Sequence, residues 1–258
     1  MSSMETEIQY WLSDQEINEI YSGKYWNDEE EEIKKEWYII DGNTDKLLTY
    51  LKERSTLMEE YESIIHFAEG KEYKVQGTGI DVAAGVCWTT ALLSRINAVE
   101  KMYALEISRH RLVKIAPAVF ELFKASKKKI VRILTSFYEI KLPDESIEFC
   151  FMSQAFHHAN EPEKMLAEVR RILKPNGFIL IIGENPISQW SYLKRCLKNR
   201  IKATINMMNW SDGISEADKI TGDHDYTLRD YYEIFNRCGF KLEANKESRP
   251  ITFLAIKI

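Results

Sequence analysis

The sequence predicts an α/β fold in which helices cover both faces of one mainly parallel sheet. From about residue 75 onward, short apolar runs alternate with amphipathic stretches of helical length, as in β-α-β units. The runs are apolar at nearly every position, which is typical of strands that are buried on both faces. Five parallel strands are expected, at residues 78–82, 101–106, 130–134, 147–152 and 178–182.

Three helices are expected between these strands, at residues 85–97, 108–124 and 162–173. The third shows the clearest pattern, because its apolar residues fall on one stripe of a helix. The residues of that stripe are Met165, Leu166, Val169, Ile172 and Leu173. Pro162 suits the first turn of this helix, where its missing N–H costs nothing.

The C-terminal part predicts one more helix and an antiparallel hairpin. Thr227 is followed three residues later by Asp230, a spacing that resembles a capping box. Gly239 is expected to end the helix that begins there. The strands at 240–244 and 251–258 then complete a doubly wound, Rossmann-like sheet of seven strands.

Two further segments surround this sheet. Residues 1–70 lack proline and are rich in charged and aromatic residues, which predicts a helical segment. Its Tyr25 and Trp26 are expected to help cover a ligand, so the segment is interpreted as a lid. The main domain then spans residues 71–258 and contains a basic insertion at 186–226, which interrupts the β-α-β pattern.

Composition excludes several classes of protein. The net charge of −5 argues against binding nucleic acid by bulk electrostatics. The apolar runs are far shorter than the roughly 20 residues that span a bilayer. The N-terminus is acidic and resembles no signal peptide, so a cytoplasmic protein is expected. The four cysteines and five histidines form no metal-binding pattern, so no bound metal is predicted.

Candidate ligand-binding residues follow the first two strands. The first strand runs into a turn that contains Asp81 and Gly85, where a doubly wound sheet places the polar group of a ligand. The second strand ends at Glu106, 21 positions after Gly85. A carboxylate at that place can accept hydrogen bonds from both ribose hydroxyls of an adenosine-containing ligand. The alternative is an ordinary turn between a strand and a helix.

Four segments together resemble the class I S-adenosylmethionine (SAM)-dependent methyltransferases, over about residues 75–185. Residues 80–87, IDVAAGVC, match the first motif L-D-x-G-x-G-x-G with Ala83 and Cys87 in place of two glycines. The other three are LPDESIE at 142–148, SQAFHH at 153–158 and EVRRILKPNG at 168–177. The resemblance is strongest to the small-molecule branch that includes the quinone-biosynthesis C-methyltransferases.

The resemblance implies a cofactor, a substrate class and a set of site residues. The cofactor is SAM, its product is S-adenosylhomocysteine, and the acceptor is a small molecule. The implied cofactor-binding residues are Asp81, Ala83, Gly85, Glu106, Ile107, Ser136, Phe137 and Ser153. His157 and His158 lie at the exit of the fourth strand, near the expected acceptor, and are candidate catalytic residues.

The departures from the family pattern keep other functions open. An alanine or cysteine in the first motif is strained wherever the backbone needs a positive φ. The alternatives are therefore a non-catalytic SAM-binding or regulatory module and, from the basic insertion alone, an RNA methyltransferase. A nicotinamide cofactor is disfavoured because Trp88 stands where the third glycine of that fingerprint permits close packing.

Overall fold

The computed structural model describes residues 6–13, 15–16, 43–188, 190–191, 194 and 224–258. An eight-stranded sheet of order β1-β4-β3-β2-β5-β6-β8-β7 lies at its centre. The strands are β1 Glu7–Tyr10, β2 Gly77–Val82, β3 Val99–Glu106, β4 Ile130–Leu134, β5 Ile147–Ser153, β6 Leu173–Ile182, β7 Phe240–Asn245 and β8 Thr252–Lys257. Neighbouring strands are parallel except where β8 pairs with β6 and β7. The mainly parallel sheet with a C-terminal hairpin is thus confirmed.

The eighth strand corrects the predicted count of seven, and it lies inside the segment that was predicted to be helical throughout. Residues Glu7–Tyr10 pair in parallel with β4. Arg132 of β4 holds the entry to this strand, because its guanidinium donates hydrogen bonds to the carbonyl oxygens of Thr6 at 3.1 Å and Leu112 at 2.8 Å. The sequence missed the strand because four half-exposed residues at a sheet edge leave no apolar run.

In the part of the chain that the structure describes, six helices connect or flank the strands. They are α1 Thr44–Thr49, α2 Leu57–Gly70, α3 Trp88–Ser94, α4 Ala116–Leu122, α5 Pro162–Ile172 and α6 Leu228–Arg237. A π turn, Tyr50–Arg54, extends α1, and another, His110–Ile115, precedes α4. The predicted helix at 85–97 begins only at Trp88, because the preceding residues form a turn. Within the described residues no helix is both long and apolar enough to cross a membrane.

Two hydrophobic clusters pack on opposite faces of the sheet. Helices α1 to α4 bury residues such as Leu47, Ile64 and Phe120 on one face. Helices α5 and α6 bury Leu166 and Phe235 on the other face. Burying side chains of this size contributes about 1.5–3 kcal/mol each. The doubly wound arrangement is therefore confirmed. The predicted ligand-covering residues Tyr25 and Trp26, and most of the insertion at 186–226, lie outside the described residues.

Helix α6 begins at the predicted capping box. The backbone N–H of Asp230 donates to the hydroxyl oxygen of Thr227 at 3.3 Å, and the N–H of Thr227 donates to the Asp230 carboxylate at 2.7 Å. Gly239 follows the helix with a φ of +78°, the left-handed conformation that favours glycine. Both ends of this helix are thus set by local sequence, as predicted.

Arg171 of α5 ties this helix to the segment that precedes β5. Its guanidinium donates to the carbonyl oxygens of Ile140 at 2.6 Å and Leu142 at 2.9 Å, and to the carboxylates of Asp144 at 2.7 Å and Glu168 at 3.0 Å. The Glu168 carboxylate also accepts from the N–H of Ile140 at 2.9 Å. The hydrogen bond from Arg171 lowers the pKa of Glu168. We call Glu168, Arg171 and residues 140–144 the clamp.

Candidate functional site

Three residues of the turn after β2 have left-handed backbone conformations. The φ angles are +55° at Ala83, +54° at Gly85 and +63° at Cys87, the three positions that the family motif fills with glycine. The turn is held by hydrogen bonds from the N–H of Ala84 to the carbonyl of Leu105 at 2.8 Å and from the N–H of Cys87 to Ala84 at 2.7 Å. A non-glycine residue in this conformation costs about 1–2 kcal/mol. We call residues 82–87 the first-motif turn.

Glu106 ends β3 and binds this turn directly. Its Oε2 accepts a hydrogen bond from the N–H of Gly85 at 2.7 Å. Its Oε1 accepts from the N–H groups of Ile107 at 2.9 Å and Ser108 at 2.7 Å. The side chain is buried, and burial raises its pKa, while the charge of Arg111 opposes that shift.

The hydrogen bonds of Glu106 narrow the role that the sequence predicts for it. A carboxylate offers about four acceptor positions, two on each oxygen. Three of them are filled by backbone N–H groups, and Oε1 is filled completely. In this conformation Oε2 therefore has one position left for a ribose hydroxyl, whereas the sequence predicts that both oxygens bind ribose. The N–H of Ile107, another predicted contact, is engaged with Glu106.

Asp81 joins the end of β2 to the start of α3. Its Oδ2 accepts hydrogen bonds from the hydroxyls of Thr89 at 2.6 Å and Thr90 at 2.5 Å. Burial raises its pKa to about 6, although both threonine hydroxyls act in the opposite direction. Its Oδ1 is buried without a hydrogen-bond partner among the described residues.

The remaining predicted cofactor contacts follow β4 and β5. The hydroxyl oxygen of Ser136 accepts from the N–H of Tyr138 at 3.2 Å, so its proton can be donated to a ligand. The ring of Phe137 meets that of Tyr138 edge-on at 4.6 Å between centroids. Ser153 ends β5, and its buried hydroxyl oxygen has no partner within the part of the chain that the structure describes.

These groups fit a cofactor that carries adenosine and an amino-acid portion. Asp81, Glu106 and Ser153 stand at the carboxyl ends of neighbouring strands, where doubly wound sheets bind their ligands. A Cβ atom built on Gly85 would meet no atom within 4 Å, so there is open space beside that backbone. The unsatisfied oxygens of Asp81 and Ser153 are buried groups that a ligand can satisfy.

A second polar cluster forms around Glu184, directly after β6 and Gly183. Its Oε1 accepts from the N–H groups of Ala155 at 3.1 Å and Phe156 at 3.0 Å. Its Oε2 contacts His157 Nδ1 at 2.9 Å and accepts from the hydroxyl of Tyr231 at 2.6 Å. Burial favours a higher pKa for Glu184, but the charge and hydrogen bonds of these partners hold it below its ordinary value.

The two candidate catalytic histidines differ in their surroundings. Both lie in the short 3₁₀ turn Phe156–His158 after β5, with ring centroids 4.2 Å apart. His157 is fixed by the buried carboxylate of Glu184, a residue that the sequence interpretation missed. A usable signal was present, because an acid follows a predicted strand there as Glu106 does.

The comparisons with known proteins agree with this geometry. Residues 80–181 match the methyltransferase domain family. The matched span includes the first-motif turn, Glu106 and both histidines. None of the curated proteins matches this chain.

Solved structures support the same fold. A SAM-dependent methyltransferase from Aquifex aeolicus is 18% identical, with a TM-score of 0.52, and the alignment covers 84% of this chain and 97% of that one. Magnesium protoporphyrin IX methyltransferase from Synechocystis, solved with S-adenosylhomocysteine, is 10% identical with a TM-score of 0.59, over 93% and 100% of the chains. Identities this low show the fold alone. They do not single out the quinone-biosynthesis branch.

Proposed function

We propose that this protein is a SAM-dependent methyltransferase that acts on a small-molecule acceptor. The observation that carries the proposal is that the buried, unsatisfied oxygens Asp81 Oδ1 and Ser153 Oγ and the remaining acceptor position of Glu106 lie at the carboxyl ends of three neighbouring strands, an edge that we call the crevice. The related folds from Aquifex and Synechocystis support it, since one is named SAM-dependent and the other carries S-adenosylhomocysteine. The Synechocystis enzyme is also named for a small molecule.

Each residue of the crevice has a proposed part in binding. Glu106 Oε2 would accept a hydrogen bond from ribose, Ser136 and Phe137 would contact the adenine, and Asp81 and Ser153 would bind the methionine portion, beside the backbone of Ala83 and Gly85. SAM supplies a methyl group that is already activated on a sulfonium. The protein therefore has mainly to align the acceptor and exclude water.

Calorimetric titration with SAM and S-adenosylhomocysteine tests this proposal. We expect each ligand to bind at a single site, and NAD, as the control ligand, to give no heat. Ser153→Ala removes one unsatisfied hydroxyl and should weaken both ligands without unfolding the protein. Ser55→Ala, a substitution outside the crevice, is the matched control. Absence of binding by both ligands at millimolar concentration would overturn the proposal.

The first-motif turn favours a second candidate, a module that binds SAM without transferring its methyl group. Ala83 and Cys87 hold a conformation that glycine adopts without strain, and a strained turn is compatible with a site that has lost its catalytic use. Such a module would bind both ligands but would release no S-adenosylhomocysteine from SAM. Product formation over a panel of acceptors, measured by mass spectrometry, separates the two functions.

A further inference from the structure

We infer that the open edge of β7 is a dimer interface, and that its partner is a second copy of this chain. The two copies of β7 would pair antiparallel about a two-fold axis at Leu242, which joins the two sheets into one. This inference goes beyond the proposed function and does not depend on it, because it concerns the edge of the sheet and not the crevice.

The backbone of β7 has an open side. β7 is the last strand of the sheet, and among the described residues only β8 pairs with it. In an antiparallel pair, successive residues point their N–H and C=O groups alternately towards the partner and away from it. The N–H of Ile258 donates to the carbonyl oxygen of Gly239 at 3.0 Å, which fixes that alternation. The residues that point these groups out of the sheet are therefore Phe240, Leu242 and Ala244.

These outward groups allow few registers for pairing with a second copy. An axis at Leu242 pairs all three outward residues, since Phe240 then faces Ala244 of the other copy and Leu242 faces itself. Each of these pairs exchanges two hydrogen bonds. An axis at Lys241 or at Glu243 would pair only two of the outward residues. The backbone therefore favours the axis at Leu242.

The charges of β7 favour the same register. Lys241 and Glu243 alternate with Leu242, so they occupy the non-hydrogen-bonded positions, where facing side chains are closest. With the axis at Leu242, each Lys241 faces Glu243 of the other copy, and both cross-strand pairs attract. An axis at Lys241 or at Glu243 would place like charges opposite each other, which is destabilising. The strand is thus complementary to itself in one register.

The contacts of these charges within one chain leave them available. The Glu243 carboxylate lies 2.7 Å from Lys241 and 3.1 Å from Lys71, and 63% of the Lys241 side chain is exposed. Exposed ion pairs contribute little to stability, so little is lost when Glu243 is shared with a second chain. A lysine within an edge strand usually opposes pairing with other chains. An acid directly opposite removes that opposition, which favours a second copy over an unrelated strand.

Apolar side chains beside the edge give the second copy a surface to cover. A groove between α6 and β7 is lined by Tyr232, Phe240, Leu242 and Ile258. Tyr232 and Ile258 are two of the four large hydrophobic side chains that the described residues expose. Helix α6 runs back along β7 from Gly239. At rises of about 1.5 and 3.3 Å per residue, Tyr232 and Leu242 both lie roughly 10 Å from that turn. Tyr232 is therefore beside the axis and would meet its own copy.

The opposite edge of the sheet lacks this complementarity. Its strand, β1, has the sequence EIQY, with Glu7 as the charged residue. Two-fold pairing of β1 therefore cannot place opposite charges across the axis. Tyr10 is exposed at this edge, but its ring packs under the guanidinium of Arg109 at 5.7 Å. The observations favour β7 over β1 as the surface for a second copy.

Sedimentation velocity of the full chain tests for the dimer. At about 0.1 mM, a dimer with a Kd in the micromolar range would be nearly complete. Lys241→Glu places like charges at both cross-strand pairs and should raise the Kd at least ~tenfold. Adding Glu243→Lys to that variant restores opposite charges and should recover most of the loss. Lys128→Glu makes the same charge change at an exposed lysine before β4 and should leave the Kd unchanged.

Disulfide cross-linking tests the register. Lys241→Cys and Glu243→Cys chains, when co-expressed, place two cysteines at a facing pair whose Cα atoms are about 4.5 Å apart, a distance that a disulfide spans. In either variant alone the two cysteines are about 8 Å apart, which is too far. Oxidation should therefore cross-link the co-expressed chains and neither variant alone. This comparison also decides the inference if Lys241→Glu does not fold, as judged by thermal melting.

Three outcomes would overturn the inference, and none of them bears on SAM binding. The first is a wild-type chain that sediments as a monomer at the highest concentration. The second is a dimer that Lys241→Glu leaves as tight as wild type. The third is a dimer whose co-expressed cysteine variants do not cross-link, or cross-link no better than each variant alone, because such a dimer uses another surface or another register.

Discussion

The first-motif turn and the clamp meet different physical demands, although both match motifs of the same family. In the clamp, Arg171 is bonded to two carbonyl groups and two carboxylates. Around the turn, Asp81 Oδ1 and Ser153 Oγ have no partner among the described residues, and Ala83 and Cys87 hold positive φ angles. Unsatisfied groups and backbone strain concentrate where a protein binds ligands.

This difference explains why the motif that matches the family best, at residues 168–177, has a structural role and no direct part in the proposed reaction. The motif at 168–177 matches the family well because Glu168 and Arg171 fasten α5 to the start of β5. The motif at 80–87 matches less well, yet it supplies the backbone that we propose to lie against the cofactor. A resemblance through the clamp therefore predicts the fold more reliably than the reaction.

The largest expected effect comes from Glu106→Ala, which removes the carboxylate that binds the first-motif turn from the end of β3. Three backbone N–H groups would lose their partner, and each unsatisfied buried group costs about 1 kcal/mol or more. We expect the free energy of unfolding to fall by about 3 kcal/mol. SAM affinity should fall at least ~tenfold, because a hydrogen bond to a charged group is lost.

Glu100→Ala is the matched control, because Glu100 is an exposed acid in the same strand. Calorimetric titration and thermal melting of both variants give the two quantities separately. If Glu106→Ala keeps wild-type SAM affinity, Glu106 does not contact the ribose. The hydrogen bonds of Glu106 to the turn would then be purely structural, as those of the clamp are.

A smaller effect is expected from Arg171→Ala, which opens the clamp. Two carbonyl groups and two carboxylates lose a shared donor, so the free energy of unfolding should fall by about 2 kcal/mol. For a chain of this size that corresponds to roughly 4–8 °C in melting temperature. The affinity for S-adenosylhomocysteine should stay within about twofold of wild type, since the clamp lies at the amino end of β5.

Arg170→Ala, the adjacent and exposed arginine of α5, should change the free energy of unfolding by no more than about 0.5 kcal/mol. A tenfold loss of ligand affinity in Arg171→Ala at an unchanged melting temperature would contradict the structural role of the clamp.

The sequence predicted the features that depend on local pattern. The five parallel strands, the capping box at Thr227 and the position of Glu106 at a strand end all follow from apolar periodicity and short-range spacing. The edge strand Glu7–Tyr10 could not be predicted from local pattern, because its stability comes from pairing with β4, more than a hundred residues away. Glu184 also follows a predicted strand, but its contact with His157 was not predicted, because His157 lies in the turn after a different strand.

The smallest expected effect, and the most specific to the first-motif turn, belongs to Ala83→Gly. At a φ of +55° the alanine costs about 1–2 kcal/mol. Glycine recovers that energy but loses about 0.5–1 kcal/mol to the entropy of the unfolded chain. A net stabilisation of about 0.5 kcal/mol is expected, and SAM affinity should rise, because the Cβ atom at the approach to the backbone is gone.

Ala84→Gly separates relief of strain from a general effect of glycine. Ala84 is buried and does not have a positive φ. Glycine there increases the entropy of the unfolded chain and relieves no strain, so the free energy of unfolding should fall by about 1 kcal/mol. Chemical denaturation of both variants measures the difference. If Ala83→Gly destabilises the protein as much as Ala84→Gly does, the turn stores no strain at Ala83. The departure from the family motif would then cost the protein nothing, and the second candidate function would lose its main support.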